Sequence, residues 1–167
     1  MTHGAPDVIA RTLTIAALAA GLGGCAGMGA APTTVATLDS TGYAMCPWAG
    51  GEAGVVDVHD QRGFEALLAQ AGLEAPRVAG WKPDFPRDRI VLVAVGPRPS
   101  AGYRVEWIDA TQLGQRLRGR VEIRPPSSGE MSATVIIRPC VVAWVRAPGV
   151  REVEIFDARS GDPLLEP

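Results

Sequence analysis

Residues 89–108 read Arg89-Ile90-Val91-Leu92-Val93-Ala94-Val95-Gly96-Pro97-Arg98-Pro99-Ser100-Ala101-Gly102-Tyr103-Arg104-Val105-Glu106-Trp107-Ile108. Six apolar residues follow Arg89 without a break. A β-branched run that never alternates predicts a strand buried on both faces. Two prolines and two glycines then interrupt the chain. Alternation starts at Tyr103, with Tyr103, Val105 and Trp107 on one face and Arg104, Glu106 and Ile108 on the other. That pattern predicts a second strand with one wet face. A dry strand, a stiff turn and a half-wet strand point to a small, mainly β domain.

The flanks agree. Residues 115–124 alternate more cleanly, with Leu117, Val121 and Ile123 facing in. Arg116, Arg118, Arg120, Glu122 and Arg124 face out. Residues 132–137, 141–146 and 150–156 predict three more strands. The first two are separated by Arg138-Pro139-Cys140, where Pro139 has no ladder donor and forces a bulge, bend or edge. Upstream, residues 42–46 and 54–58 read as two further strands. One helix is expected over residues 60–72. Asp60 is its N-cap, Phe64, Leu67, Leu68 and Ala71 form one face, and Gly72 is the C′ residue. Pro76, Pro83 and Pro86 make residues 74–88 irregular. The fold class expected is mainly β (α+β), a small antiparallel sandwich or barrel-like domain with one helix on a face or an open end.

Composition sets the outer limits. The chain has 167 residues, 18 acidic against 16 basic, for a net charge of −2. That balance argues against a nucleic-acid partner held by bulk charge. An apolar share of 47% is that of a globular domain.

The N-terminus reads as a leader. Residues 12–22 are apolar or small and uncharged, too short to span a bilayer core but the right length for a secretory apolar region. They follow Arg11 and end in Leu22-Gly23-Gly24-Cys25, which resembles the bacterial lipobox. Residues 1–24 are therefore read as a lipoprotein signal peptide and Cys25 as the lipidation site, tying the protein to a membrane. An ordinary signal peptide cut near residues 26–31 is the alternative. Residues 25–41, poor in groups to bury, read as a flexible tether, 42–157 as the folded domain and 158–167 as a tail. Ala26 follows the cysteine where inner-membrane retention signals often carry Asp, so the periplasmic face of the outer membrane is preferred within the cell envelope. Export favours disulfides. Cys46 and Cys140 form either a bridge or two buried thiols.

No catalytic or metal-binding set stands out. His59, in Val58-His59-Asp60, reads as a loop residue before the helix. No Gly-x-Ser-x-Gly elbow exists, and Cys46, His59 and Cys140 are too scattered for zinc. No cofactor motif is visible and no enzyme activity is expected. The Arg116–Arg124 face is either a solvated surface or a partner patch.

Residues 99–103 are the candidate binding element. Pro97 and Pro99 stiffen the loop and lower the ordering cost of binding, while Gly102 is placed to supply a positive φ. A plain hairpin connection is the other reading. The stretch from Gly96 to Tyr103 resembles the C-terminal domain of the PrcB family, where an apolar strand leads into Gly-x-x-Pro-Thr-Gly-Gly-Tyr. Here Ser100 replaces Thr and Ala101 the first of the paired glycines. The helix, Pro83-Asp84-Phe85 and Pro139 extend the similarity over about residues 42–156, although Cys140 stands where the family commonly has an aromatic. The resemblance implies a non-catalytic envelope protein that binds or scaffolds an exported protease or another envelope protein, with Pro99, Ser100, Ala101, Gly102 and Tyr103 as its binding residues. A second resemblance, to chagasin-like protease inhibitors, rests on Arg98-Pro99-Ser100-Ala101-Gly102-Tyr103 and on Arg138-Pro139. It implies inhibition through the same loop.

Overall fold

The computed structural model describes residues 31–48, 52–129 and 131–164. Cys25 and the apolar run before it lie outside the described residues. Seven strands form one sheet in the order β2-β3-β6-β1-β4-β5-β7, curled into a nearly closed barrel. They are β1 (Thr33–Tyr43), β2 (Ala53–Val58), β3 (Asp88–Val95), β4 (Arg104–Leu113), β5 (Arg116–Arg124), β6 (Cys140–Arg146) and β7 (Glu152–Asp157).

All eight residues of β3 are buried. Val91, Val93 and Val95 line the barrel interior with Val141, Ala143 and Val145 of β6, against Trp107, Leu117 and Val121. Ile90, Leu92 and Ala94 face the other way, onto α1 (Gln61–Ala71) and α2 (Pro76–Ala79), meeting Phe64, Leu67 and Val78. A strand between a barrel core and a helical cap has no wet face, which is why its sequence does not alternate.

Helix α1 follows its sequence signals. The Gly63 N–H donates to the Asp60 carboxylate at 2.7 Å, and Gly72 at φ 56° donates its N–H to the Leu68 carbonyl. The cap continues through a short α2, inside the stretch expected to be irregular. Its Trp81 ring lies 6.0 Å from that of Trp144 on β6. A carboxylate holds each indole: Trp81 donates to Asp39 and Trp144 to Asp88, both at 2.9 Å.

Four differences from the sequence reading have physical causes. Strand β1 begins at Thr33, inside the stretch read as tether, because its backbone is paired through most of its length with β6 and first with β4. Only Val35 of its first six residues is buried, so composition alone hides it. Residues 132–137 form no strand. Val135 and Ile136 are exposed, and the segment makes only an isolated bridge at Ile137. Strand β7 runs parallel to β5, where an antiparallel sheet was expected. The short link 147–151, with Ala147 and Val150 buried, carries the chain across the barrel and sets it down in that direction. Part of the expected tail folds back, with the Leu164 N–H donating to the Ile155 carbonyl at 2.8 Å.

Cys46 and Cys140 are bridged, with Cα atoms 5.3 Å apart and 94 residues apart in sequence. Closing so long a loop restricts the unfolded chain by about 4–5 kcal/mol in the chain-entropy account. The Cys46→Ala, Cys140→Ala double variant should lose about 3–5 kcal/mol in urea unfolding. Alkylation should find neither thiol free until a reductant is added.

The two carboxyls that hold the indoles, Asp39 on β1 and Asp88 on β3, sit below the usual Asp value of 3.8. For Asp39 the hydrogen bond from Arg77 is the main cause, helped by Trp81 and the Ser40 N–H against the opposing effect of burial. For Asp88 burial pushes upward most, and the Asp84 N–H, Arg146 and Trp144 together outweigh it. The fold thus prefers both in the charged form. Their contribution is complete above the unfolded value and is lost as pH falls through the lower folded value. Stability measured by urea titration should therefore drop below about pH 4, and Asp88→Asn should flatten that drop.

Candidate functional site

The ends of β1, β3 and β5 and the starts of β4 and β6 gather at one end of the barrel. The loop between β3 and β4 lies there, fastened along its length to the loop between β5 and β6. Arg98 and Ile137 exchange backbone hydrogen bonds of 2.8 and 2.9 Å. The Ala101 N–H donates to the Ala133 carbonyl at 3.1 Å and the Gly102 N–H to the Ser132 hydroxyl at 2.9 Å. The positive φ of this loop is at Gly96, 75°, and not at Gly102. Gly102 is needed for closeness: a Cβ there would lie 2.5 Å from Pro126 Cβ.

Beside these loops is a cleft of about 500 Å³. It opens where the ladder between β1 and β4 ends. Pairing with β4 stops at Val35↔Ala110, after which β1 follows β6 from Ala36↔Arg146 to Tyr43↔Cys140. Bulges at Leu38 and Ile108 accompany the divergence. From Arg104 to Asp109, β4 pairs with β5 alone among the described residues. Residues 40–44 form one lip, Ala101 and residues 103–107 the other, and Val141 also lines the space. The strands still meet at one point, where a Cβ on Gly42 would come 2.8 Å from the Val105 carbonyl oxygen.

The β1 lip is rigid. The disulfide ties its exit to β6, and the Cys46 N–H donates to the Arg138 carbonyl at 2.7 Å. Tyr43 packs edge-on to Trp48 at 5.3 Å, and the Trp48 indole donates to the Leu67 carbonyl at 2.6 Å. Burial pushes the Tyr43 hydroxyl above its ordinary value.

Of the candidate binding residues, the structure places Ala101 and Tyr103 on the cleft. Pro99 is exposed on the loop and Gly102 is set against Pro126. The Ser100 hydroxyl is buried with no hydrogen-bond partner among the described residues. The sequence reading missed the β1 lip, Trp107 as a cleft residue and Val141. A single clue existed, the lone Gly42 between Thr41 and Tyr43. His59 is exposed at the start of α1 and takes no part in the cleft. Among the described residues no group of three or more His, Cys, Asp or Glu could hold a metal. Glu106, the carboxylate on the cleft, is engaged by Arg124 at 3.0 Å. Hydroxyls of Ser40 and Thr41 and the rings of Tyr43, Tyr103 and Trp107 line the cleft.

The β5 arginines are not a free basic patch. Arg116 meets Glu152 at 2.9 Å and Arg118 meets Glu154 at 2.8 Å on the parallel β7. Arg120 pairs with Asp109, and Arg124 with Glu106 and Glu122. Each acidic neighbour strand neutralises this face, so it is a solvated surface.

Residues 89–146 match the family model described as PrcB C-terminal. The likeness to that family is confined to this stretch. The match runs from β3 through the paired loops and the β4 lip to the end of β6. It leaves out the helical cap and the β1 lip. No curated protein and no solved structure matches the chain.

Gly102→Ala should separate the two loops and cost about 1–3 kcal/mol, because the added methyl meets Pro126. Ser100→Ala should be neutral or slightly stabilising, since it removes a buried hydroxyl that is bonded to nothing described. Thermal melts of both variants check the contrast.

Proposed function

We propose that the protein is a lipid-anchored, non-catalytic component of the cell envelope whose loop end binds an exported partner, an exported protease foremost. The observation that carries this reading is the fastened loop pair beside the cleft. Stiff loops lose little entropy on binding. Their rim is apolar and exposed, with Met131 wholly exposed, Ile136 66% and Met45 53%. Lone exposed apolar residues are ordinary, but several on neighbouring loops at one end mark an interaction surface. The family match supports an accessory role alongside a protease.

The path of the chain supports the anchor. Thr33 enters β1 opposite Gln112, and Tyr43 leaves it opposite Cys140. The eleven residues of β1 cover about 35 Å. A lipid on Cys25 would thus hold the protein by one end and turn the cleft away from the membrane, on the periplasmic face of the outer membrane in this reading.

Crosslinking in the native cell, followed by mass spectrometry, tests the reading. Wild type should capture an exported protease, and the Tyr103→Ala, Pro99→Ala double variant should recover about ten-fold less, the loss expected when a central aromatic anchor is removed. Equal recovery would remove the loop from the function. Labelled palmitate should enter wild type and not Cys25→Ala. The inhibitor reading is favoured by one observation, that Arg98-Pro99 and the segment ending in Arg138-Pro139 lie side by side. Titration against papain-like and subtilisin-like proteases distinguishes it: inhibition at micromolar protein supports it, and unchanged proteolysis removes it.

A further inference from the structure

We infer that the end of the barrel where β1 enters rests on the lipid headgroups of the bilayer that holds the anchor, with the β4–β5 turn and Arg151 in contact. This rests on the reading of Cys25 as lipidated. The argument starts from where β1 begins. Seven residues, 26–32, separate Cys25 from Thr33, the first residue of β1. The eight Cα–Cα steps between them reach about 28 Å at full extension. The loop end stands the length of β1 further on, about 35 Å. A domain inverted on the bilayer needs a tether longer than itself, and this one is shorter. Of the surfaces left in reach, the entry end is the nearest.

Three segments meet at that end. Thr33 pairs with Gln112, and its hydroxyl donates to the Gln112 carbonyl at 3.3 Å. A tight turn with Gly114 at φ 61° joins β4 to β5. The Gln112 side chain donates to the Pro148 carbonyl at 2.9 Å, and the Arg151 N–H to the Gln115 carbonyl at 2.7 Å. The chain entry, the turn and the link before β7 are thus fastened together. A surface can meet them without ordering them first.

Their chemistry suits headgroups. Residues 112–115 and 147–150 carry no charge. Leu113, Gly114, Gln115, Pro148 and Gly149 are exposed. A shallow hollow of about 250 Å³ is lined by Leu113, Gln115, Arg116, Arg151 and Glu152. Arg116 holds Glu152 at 2.9 Å. Arg151 is exposed, and no carboxylate among the described residues lies within ion-pair distance of it. The acid of the hollow is therefore neutralised, and one guanidinium is left for a phosphate, which guanidinium groups take in bidentate geometry. The far side of this end, at the starts of α1 and β3, sets Arg62 and Arg87 against Asp60 and Asp84, so its charges balance.

Fluorescence quenching on the lipidated, full-length protein in vesicles tests this. The vesicles are phosphatidylethanolamine and phosphatidylglycerol with a nitroxide on some headgroups. Cys46 and Cys140 are bridged, so with Cys25 acylated an introduced thiol is the one that takes the fluorophore. Leu113→Cys, and Gln115→Cys as a second site in the turn, should be quenched. Ile136→Cys at the loop end and Ile108→Cys on the side of β4 should not. Arg151→Ala should lower the ratio of quenched to unquenched label in the turn about five-fold, the share of one basic residue at a membrane surface. Turn labels that stay bright overturn the inference. So does quenching at Ile136 or Ile108 as strong as at the turn, or an Arg151→Ala variant that leaves the ratio unchanged. If labelled palmitate still enters at Cys25, such failures remove the headgroup contact alone. If no palmitate enters, the anchor is gone and the contact with it.

Discussion

The pairing of β3 with β6 is the constraint from which the other features follow. Each strand is buried on both faces, so neither can exist without a barrel on one side and a helical cap on the other. A fully buried Val, Leu or Ile contributes about 1.5–3 kcal/mol, and β3 alone supplies six apolar side chains. The surface ion pairs on β5 are exposed and screened by water, so each contributes little. Hydrophobic burial therefore holds the barrel, and the ion pairs serve mainly to fix which strands lie beside β5. The disulfide fastens the exit of β1 to β6 at the end where the loops emerge, and Cys140, the first residue of β6, also lies opposite Ala94 of β3.

The cleft follows from the geometry of closing a small barrel. A sheet that curls this tightly needs bulges, and two occur on facing strands, at Leu38 and Ile108. Between them β1 moves from β4 to β6. β6 and β4 lie on opposite edges of β1, and past Val35 only the β6 ladder continues, so the first half of β4 carries no ladder to β1. Gly42 allows the two strands to cross in contact, and the disulfide with the Trp48–Leu67 bond keeps the β1 lip from closing over the gap.

What was legible in the sequence was local. Asp60 and Gly72 bracket α1 because capping depends on residues within a turn of each other. The run from Ile90 to Val95 and the alternation of β5 reveal burial because each strand carries its own pattern. What was hidden depends on distant partners. Thr33, Thr34, Ala36 and Thr37 look like linker, and only the ladders to β4 and β6 make them strand. Val135 and Ile136 look like strand, yet no described edge receives them. Gly102 was read as a source of positive φ, whereas its role is set by Pro126, 24 positions later in the chain. The loop itself was found from its own prolines. Half of the cleft came from β1, which nothing near residues 99–103 could announce.

The distribution of charge separates the two faces that the sequence made look alike. Arg116, Arg118, Arg120 and Arg124 form the densest basic cluster in the chain, yet Glu106, Asp109, Glu152 and Glu154 on the flanking strands cancel it. Arg98, Arg104 and Arg138 are spread over 41 residues and form no cluster in sequence. Folding brings them to one end without a described carboxylate for any of them. An exposed guanidinium left unpaired costs the folded protein little, because water solvates it. Three of them at one end disfavour a second copy of the same end through like-charge repulsion.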